Sequence, residues 1–318
     1  MEAGRTQSQR AAQWPRIAIV GAGAVGAYFG ARLARAGALV SMIGRKPFVE
    51  AVERNGLTIE EQAETLTLQV PVSTELSACK EAQLVLFCVK TTDTVATARA
   101  LEPYLASDTV LVTMQNGVES AALVRALVPC QTVPAVVYVA VATPAPGRVR
   151  HFGRGDLIVG TEPASRQVAA VCERAAIACR ISDNIEGELW TKLLMNCALN
   201  ALSAVGRSDY AHIIACPPAD SLMQSVVGEF MAVAAAAGVR LPAIRDTAAA
   251  VDAVKHLVRQ MPAQHSSMAQ DLARGRRTEI DALNGFIQRR AGELGLQVPA
   301  NQALSALVTL IETAGGDR

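Results

Sequence analysis

The chain has 318 residues, a formal net charge of +1, and 51% hydrophobic against 19% charged residues, enough material for about two domain cores. Near-neutral charge without long basic runs argues against nucleic acid as a main partner. No apolar stretch reaches the ~18 residues that span a bilayer; Val133–Val141 and Met231–Val239 are the longest candidates. Seven cysteines (Cys79, Cys88, Cys130, Cys172, Cys179, Cys197, Cys216) form no CxxC pair and keep no regular spacing. That pattern points away from a zinc site or disulfide framework and toward a reducing, cytoplasmic setting.

The opening MEAGRTQSQRAAQWP is polar, lacks the apolar core of a signal peptide, and reads as a flexible arm. From Arg16 onward, apolar runs alternate with helical stretches, as in a parallel sheet with crossover helices. RIAIV predicts the first strand. Gly21-Ala22-Gly23-Ala24-Val25-Gly26 then opens a helix that continues through Gly30–Ala36 and stops at Gly37. In this strand–turn–helix setting the first glycine permits the tight turn and the second lets a pyrophosphate approach the backbone. The third lets helix and strand pack closely, while the helix N-terminus offers N–H groups to phosphate oxygens. The second strand, ALVSMIG, ends at Ile43-Gly44-Arg45-Lys46 without the acid that usually binds an NAD ribose. A guanidinium there suits a 2′-phosphate, and so NADP(H). The plainer reading is that Arg45 and Lys46 solvate a loop.

Pro47–Arg54 predicts a helix, and GLTIE with ETLTLQV predicts an antiparallel pair. QLVLFCV and TVLVTM have the continuous apolar character of buried central strands. Lys90 follows the first of these and Gln115-Asn116-Gly117 follows the second. The glycine loop, Arg45, Lys90 and Asn116 therefore all fall at carboxyl ends of strands, where doubly wound sheets bind ligands. Taken singly, Lys90 reads equally as a strand-end solubiliser and Asn116-Gly117 as a turn. VPAVVYVAVAT, the turn PAPG, RVRHF and DLIVG predict antiparallel strands at the far edge of the sheet. A helix over Ala164–Ala178 closes this half, and Ser182-Asp183-Asn184 reads as a hinge.

Beyond the hinge only helices are expected. Glu186–Val205 is long, Pro217-Pro218 starts a helix that Gly238 ends, Pro242 starts a third, Pro262 breaks the next, and Pro299 opens the last. The fold class is therefore a Rossmann-type doubly wound α/β domain over residues 16–184, followed by an all-helical domain over residues 185–318. Within LWTKLLMNCALNALSAV, Lys192, Asn196 and Asn200 recur every four residues and stack along one helix stripe. A cation and two amides on an otherwise apolar helix are costly to bury without partners, which suits an anionic or carbonyl-bearing substrate. Glu188, four residues before Lys192, offers the plainer reading of a surface ion pair. In SSMAQDLARGRRTEID, Ser266 is a candidate N-cap, and Glu279 reads either as a site acid or as a helix-face charge opposite Arg276 or Arg277. His151, His212, His256 and His265 share no motif, so a histidine–acid relay is hard to assemble. No ligand cluster suggests a metal. The Ala-rich helix over Met231–Ala237 permits close helix packing and a homodimer through the helical domain.

GAGAVGAYFGARLARAG, FCVKTTDT, MQNG, LWTKLLMNCALNALSAV, SSMAQDL, RRTEIDALNG and VPANQAL occur in the order seen in the ketopantoate reductases (2-dehydropantoate 2-reductases). The resemblance runs from about Arg16 to about Thr313. It implies NADPH-dependent reduction of a 2-keto acid, 2-dehydropantoate, to (R)-pantoate in pantothenate synthesis. The family's general-acid lysine falls on Lys192 and its glutamate on Glu279. Its substrate-binding residues fall on Asn196, Asn200 and Ser267, its cofactor lysine and asparagine on Lys90 and Asn116, and Asn116 is expected to bind the substrate as well. A small residue bordering the cofactor falls near Ala142. Two segments depart from the family pattern: Gln264 replaces a frequent asparagine, and Gly206-Arg207-Ser208-Asp209-Tyr210 replaces a Cys-Pro-Asn-Gly-like run. Both touch the expected substrate side. A reductase of another bulky 2-keto acid is therefore the alternative, with a non-catalytic NADPH-binding sensor behind it.

Hydride delivery to a ketone carbon puts negative charge on its oxygen, which a nearby ammonium stabilises and protonates. A lysine with its ordinary pKa of about 10.4 starts protonated at neutral pH. Desolvation lowers that value, and a neighbouring carboxylate opposes the shift.

Overall fold

In the computed structural model, which describes residues 14–315, the glycine loop joins β1 (Arg16–Val20) to α1 (Ala24–Arg35). There follow β2 (Leu39–Ile43), α2 (Lys46–Asn55), β3 (Leu57–Glu60), β4 (Thr65–Leu68) and the short β5 (Val72–Ser73). Next come β6 (Leu84–Phe87), α3 (Thr94–Leu101), β7 (Val110–Thr113) and α4 (Ser120–Arg125). The long strands β8 (Gln131–Ala145) and β9 (Arg148–Gly160), then α5 (Ser165–Arg174) and β10 (Cys179–Ser182), complete the unit. Apart from Trp14 and Pro15, the polar arm lies outside the described residues. The Arg174 guanidinium stacks on Trp14, 3.8 Å from the ring centroid.

Strands run in the order β4-β3-β9-β8-β7-β6-β1-β2-β5, with β10 also paired to β9. From β5 to β8 every neighbouring pair is parallel. Period-2 alternation sorts the side chains onto two faces. Ile17, Ile19, Leu84, Leu86, Val110 and Val112 pack with α1, α2 and α5. Ala18, Val20, Val85, Phe87 and Leu111 pack with α3 and α4. Burial on both faces is why these strands read as continuous apolar runs, and helices on both faces make the sheet doubly wound.

Strands β8 and β9 are antiparallel and joined through Pro146-Gly147, with Gly147 at φ 71°. They do not form the far edge, contrary to the sequence expectation. Thr58–Glu60 of β3 pairs in parallel with Arg148–Arg150, β4 lies antiparallel outside β3, and β10 covers Leu157–Gly160. A bare β9 would present a long row of unpaired backbone groups, and local pattern does not say which strand covers it. The pattern also leaves β10 unmarked, since only Ser182 of CRIS is buried. Helix α5 stops well short of Ala178. Ala176 takes φ 52°, the Ile177 N–H returns to the Cys172 carbonyl, and the Leu157 N–H already pairs with Ala178.

The second unit comprises Glu186 onward together with the loop Asn116–Val118, which sequence order alone would assign to the sheet. Its helices are α6 (Ile185–Gly206), α7 (Tyr210–Ala215), α8 (Pro217–Ala236), α9 (Thr247–Gln260), α10 (Ser267–Ala273), α11 (Asn284–Glu293) and α12 (Pro299–Gly315). Helix α9 does not begin at Pro242. The Asp246 carboxylate accepts from the Ala249 N–H at 2.8 Å and caps the helix, a stronger start signal than a proline set in a turn. Trp190 on α6 meets Phe230 and Phe286 edge-on, with centroids 5.6 and 5.5 Å apart. Fully buried Asn284 donates to the Cys197 carbonyl at 3.2 Å and to Asn301 Oδ1 at 3.0 Å, tying α11 and α12 to α6. Glu229 accepts from the Ala300 and Asn301 N–H groups and caps α12. The asparagines of LNG and PANQ thus hold helices in place. Among the described residues, no helix is long and apolar enough to cross a membrane.

Candidate active site

In the sheet unit, each glycine of the loop meets a different constraint. Gly21 has φ 96°, and a Cβ there would lie 2.7 Å from the Cys88 and Val89 backbone, so the turn presses against the end of β6. A Cβ on Gly26 would lie 2.2 Å from the Gly21 carbonyl oxygen, where α1 packs on its own loop. Around Gly23 there is nothing within 4 Å. Gly21 and Ala22 donate to the Ile43 carbonyl, which anchors the loop on β2. Gly23 is the N-cap of α1, with no side-chain cap and no acid in the first turn. The first-turn N–H groups of α1 carry the positive end of the helix dipole, and exposed Gly23 leaves open space at that end, a cradle that fits a pyrophosphate.

Arg45 is the N-cap of α2 and is highly exposed, with its guanidinium 3.3 Å from the Asp93 carboxylate. Lys90 begins the 3-10 turn Thr91–Asp93 after β6. Buried Gln115 donates to Thr94 Oγ1 at 2.6 Å, joining the segment after β7 to the start of α3. Ala142 pairs with Arg150 on the hairpin, well beyond Pro134, the last residue of β8 that pairs with β7. The register thus brings the glycine loop, Arg45 and Lys90 to one rim of the sheet, with Ala142 farther along β8.

In the helical unit, α6 is buried around most of its circumference. Lys192 and Asn196 are half-buried and Asn200 is 3% exposed. Glu188, four residues before Lys192, is buried rather than on a solvated face. Tyr210, also buried, donates from its hydroxyl to Asn200 Oδ1 at 3.3 Å. Asn116 Nδ2 donates to Glu279 Oε2 at 2.8 Å. Gly117, at φ 81°, lets this loop lie against the Ala282 carbonyl, 3.1 Å from where a Cβ would stand. Glu279 is half-buried ahead of the 3-10 turn Ile280–Ala282 rather than on a helix face opposite Arg276 or Arg277. Ser266 caps α10 by accepting from the Ala269 N–H at 3.0 Å, and its hydroxyl donates to the Asn200 carbonyl at 3.0 Å. Ser267 follows at the exposed first helical position.

Asp93, beside Arg45 in the sheet unit, and Tyr210 and Ser203, bonded to Asn200 and Ser266 in the helical unit, are partners that residue pattern did not single out. Only Tyr210 carried a signal, as part of a segment unlike the family's usual run. Burial pushes the Cys79 thiol up to about 12 and Cys130 up to about 11, which keeps them as small apolar side chains. Among the described residues, no group of His, Cys, Asp and Glu is arranged to hold a metal.

A family described as ketopantoate reductase PanE/ApbA matches residues 17–163, and its C-terminal counterpart matches residues 184–312. The chain is 30% identical to 2-dehydropantoate 2-reductase of Halobacterium salinarum, covering 94% of this chain and 100% of that one. It is 32% identical to that of Caulobacter vibrioides, covering 92% and 97%. A PanE/ApbA family ketopantoate reductase structure from Ralstonia eutropha JMP134 superposes with a TM-score of 0.90 at 46% identity, over 94% of this chain and 99% of that one. A D-mandelate dehydrogenase solved with NADH and anilino(oxo)acetate shares the fold, with a TM-score of 0.88 at 23% identity. With both halves matched in order, the chain belongs to the ketopantoate reductase family and is an oxidoreductase of the 2-dehydropantoate 2-reductase type.

Proposed function

We propose that the chain reduces 2-dehydropantoate to (R)-pantoate with NADPH, in the cytoplasm, as a step of pantothenate synthesis. The observation that carries this reading is the α6 stripe: half-buried Lys192 and Asn196 lead to buried Asn200 on a core helix, a row of one cation and two amides that matches the carboxylate and ketone of a 2-keto acid.

NADPH, when bound, supplies the hydride that reduces the ketone carbon. The uncapped start of α1 and the open space at Gly23 fit its pyrophosphate. Arg45 takes the 2′-phosphate, Lys90 and Asn116 hold the remainder, and the family's cofactor-bordering small residue falls on Ala142. Lys192 donates a proton to the nascent alkoxide. Asn196, Asn200 and Ser267 hold the keto acid, and Glu279, oriented by Asn116, completes the catalytic set. The helical unit also serves a homodimer, with exposed Ala232, Ala235 and Ala236 on α8 allowing close helix packing; sedimentation velocity tests this.

NADPH absorbance with a panel of 2-keto acids tests the activity, and steady turnover fastest with 2-dehydropantoate is expected. NADPH binding without turnover on any keto acid would make the chain a sensor. One observation favours a second reading, a reductase of another bulky 2-keto acid. Tyr210 engages Asn200 from within a segment where the sequence leaves the family pattern.

A further inference from the structure

We infer that Tyr210 is a positioning residue for the keto acid: its hydroxyl turns the Asn200 amide so that Asn200 meets the substrate as a hydrogen-bond donor. The inference rests on the assignment of Asn200 to substrate binding and deepens it.

Asn200 is 3% and Tyr210 8% exposed, so neither polar group has water as an easy alternative. A phenol has one proton to give, and burial holds the Tyr210 hydroxyl in its protonated form. It donates to Asn200 Oδ1 at 3.3 Å. An amide whose oxygen is so engaged turns its NH2 the other way, and that end can only donate. Among the described residues, the bonds that reach Asn200 from outside its helix run from Tyr210 to its side-chain oxygen and from Ser266 to its main-chain carbonyl, which leaves the side-chain nitrogen for a ligand.

The tyrosine is held firmly enough to impose this orientation. Its own N–H donates to the Gln264 carbonyl at 3.0 Å. The preceding turn is closed by the Ser208 N–H on the Ser203 carbonyl at 3.0 Å and by Ser203 Oγ on the Ser208 carbonyl at 2.7 Å. Ser203 Oγ also accepts from the Ser266 N–H at 3.1 Å. Gly206–Tyr210 and Gln264, the two places where the sequence departs from the family pattern, are therefore bonded to each other. Gln264 takes part through its backbone, since its side chain donates to the His265 carbonyl at 2.7 Å. The departures act together on one substrate-binding amide.

A 2-keto acid offers acceptors at its carboxylate and its ketone oxygen, and both match a donor-only Asn200. A hydroxyl on the substrate's tail could meet that NH2 only through its oxygen, as an acceptor. Tyr210 thus sets Asn200 to meet an acceptor atom of the substrate, which the carboxylate and ketone of the keto-acid head both supply.

The test is steady-state kinetics on the full-length enzyme with 2-dehydropantoate, with NADPH titrated separately. Tyr210→Phe keeps the ring packing and should raise KM by about three- to tenfold, as expected for one lost hydrogen bond, with kcat within about twofold and NADPH affinity unchanged. Asn200→Ala should raise KM at least as much, and Tyr210→Phe should add nothing in that background. Asn200→Asp keeps an acceptor for Tyr210 but removes the NH2, and should lose the substrate as Asn200→Ala does. An unchanged KM in Asn200→Ala would overturn the substrate assignment itself, and the role of Tyr210 with it. A raised KM in Asn200→Ala with a normal one in Tyr210→Phe would overturn only the positioning role, as would normal binding by Asn200→Asp. A further KM increase from Tyr210→Phe on top of Asn200→Ala would show that the tyrosine acts through general packing instead.

Discussion

Asn116 donates from Nδ2 to the Glu279 carboxylate at 2.8 Å, although 163 positions of sequence separate them. A neutral amide on a carboxylate fixes the direction of the negative charge without cancelling it, and such charge-assisted bonds are worth about 1.5–3 kcal/mol. If this pair shapes the site, Glu279→Ala should lower kcat/KM by roughly ten- to a hundredfold. Asn116→Ala should do likewise, and the double variant should lose less than the product of the two. Steady-state kinetics on the three variants checks this; independent, multiplicative losses would mean that the bond couples nothing.

Lys192 carries the sharpest expectation. Replacing a positioned general acid usually costs about 10²–10⁴-fold in rate, so Lys192→Ala should lose that much kcat while NADPH affinity barely changes. Lys192→Arg should not restore the rate, because a guanidinium keeps its proton and spreads its charge over a planar fork. Turnover is followed by NADPH absorbance and cofactor affinity by fluorescence. A Lys192→Ala enzyme with most of its turnover would assign the stripe to packing.

Arg45, proposed to hold the 2′-phosphate, is paired with Asp93 at 3.3 Å. Exposed pairs of this kind contribute about 0–1 kcal/mol, so a 2′-phosphate can recruit the guanidinium at little cost. Arg45→Ala should weaken NADPH by about tenfold or more and leave NADH nearly unchanged, since only NADPH carries the phosphate. Asp93→Asn removes the competing carboxylate and should improve NADPH by up to about fivefold. The ratio of kcat/KM for the two cofactors reads both, and equal losses for NADPH and NADH in Arg45→Ala would assign it a structural role.

Two glycines of one loop should respond in opposite ways to the same added methyl. Gly26→Ala drives a Cβ to 2.2 Å from the Gly21 carbonyl oxygen and should destabilise the protein by about 1–3 kcal/mol. Gly23→Ala meets no protein atom within 4 Å and should leave the melting temperature almost unchanged. Its methyl stands where the pyrophosphate is expected, so NADPH affinity should fall tenfold or more. Thermal melts and NADPH titrations separate the two effects, and normal NADPH binding by Gly23→Ala would move the pyrophosphate elsewhere.

Features set by neighbours within a few residues were legible in the sequence. The strand, loop and helix around Gly21–Gly26 follow from local turn chemistry and apolar runs. The order of sheet then helices follows from the change of period near Ser182, and the Lys192, Asn196, Asn200 stripe follows from helical spacing alone. Tertiary structure decided the rest, because the partners lie far apart in sequence and only packing selects them. Thr58 of β3 pairs with Arg148, which puts the β3–β4 hairpin outside β9. Asp246 rather than Pro242 starts α9, since a side chain that satisfies an N–H outweighs a favourable dihedral angle. Asn116 meets Glu279, Arg45 meets Asp93, and Tyr210 meets Asn200 through bonds whose geometry no spacing rule contains. Residue type and period announced where polar groups would stand on each element; the fold alone determined which groups they face, because burial makes each seek a partner and tertiary packing limits which partners are within reach.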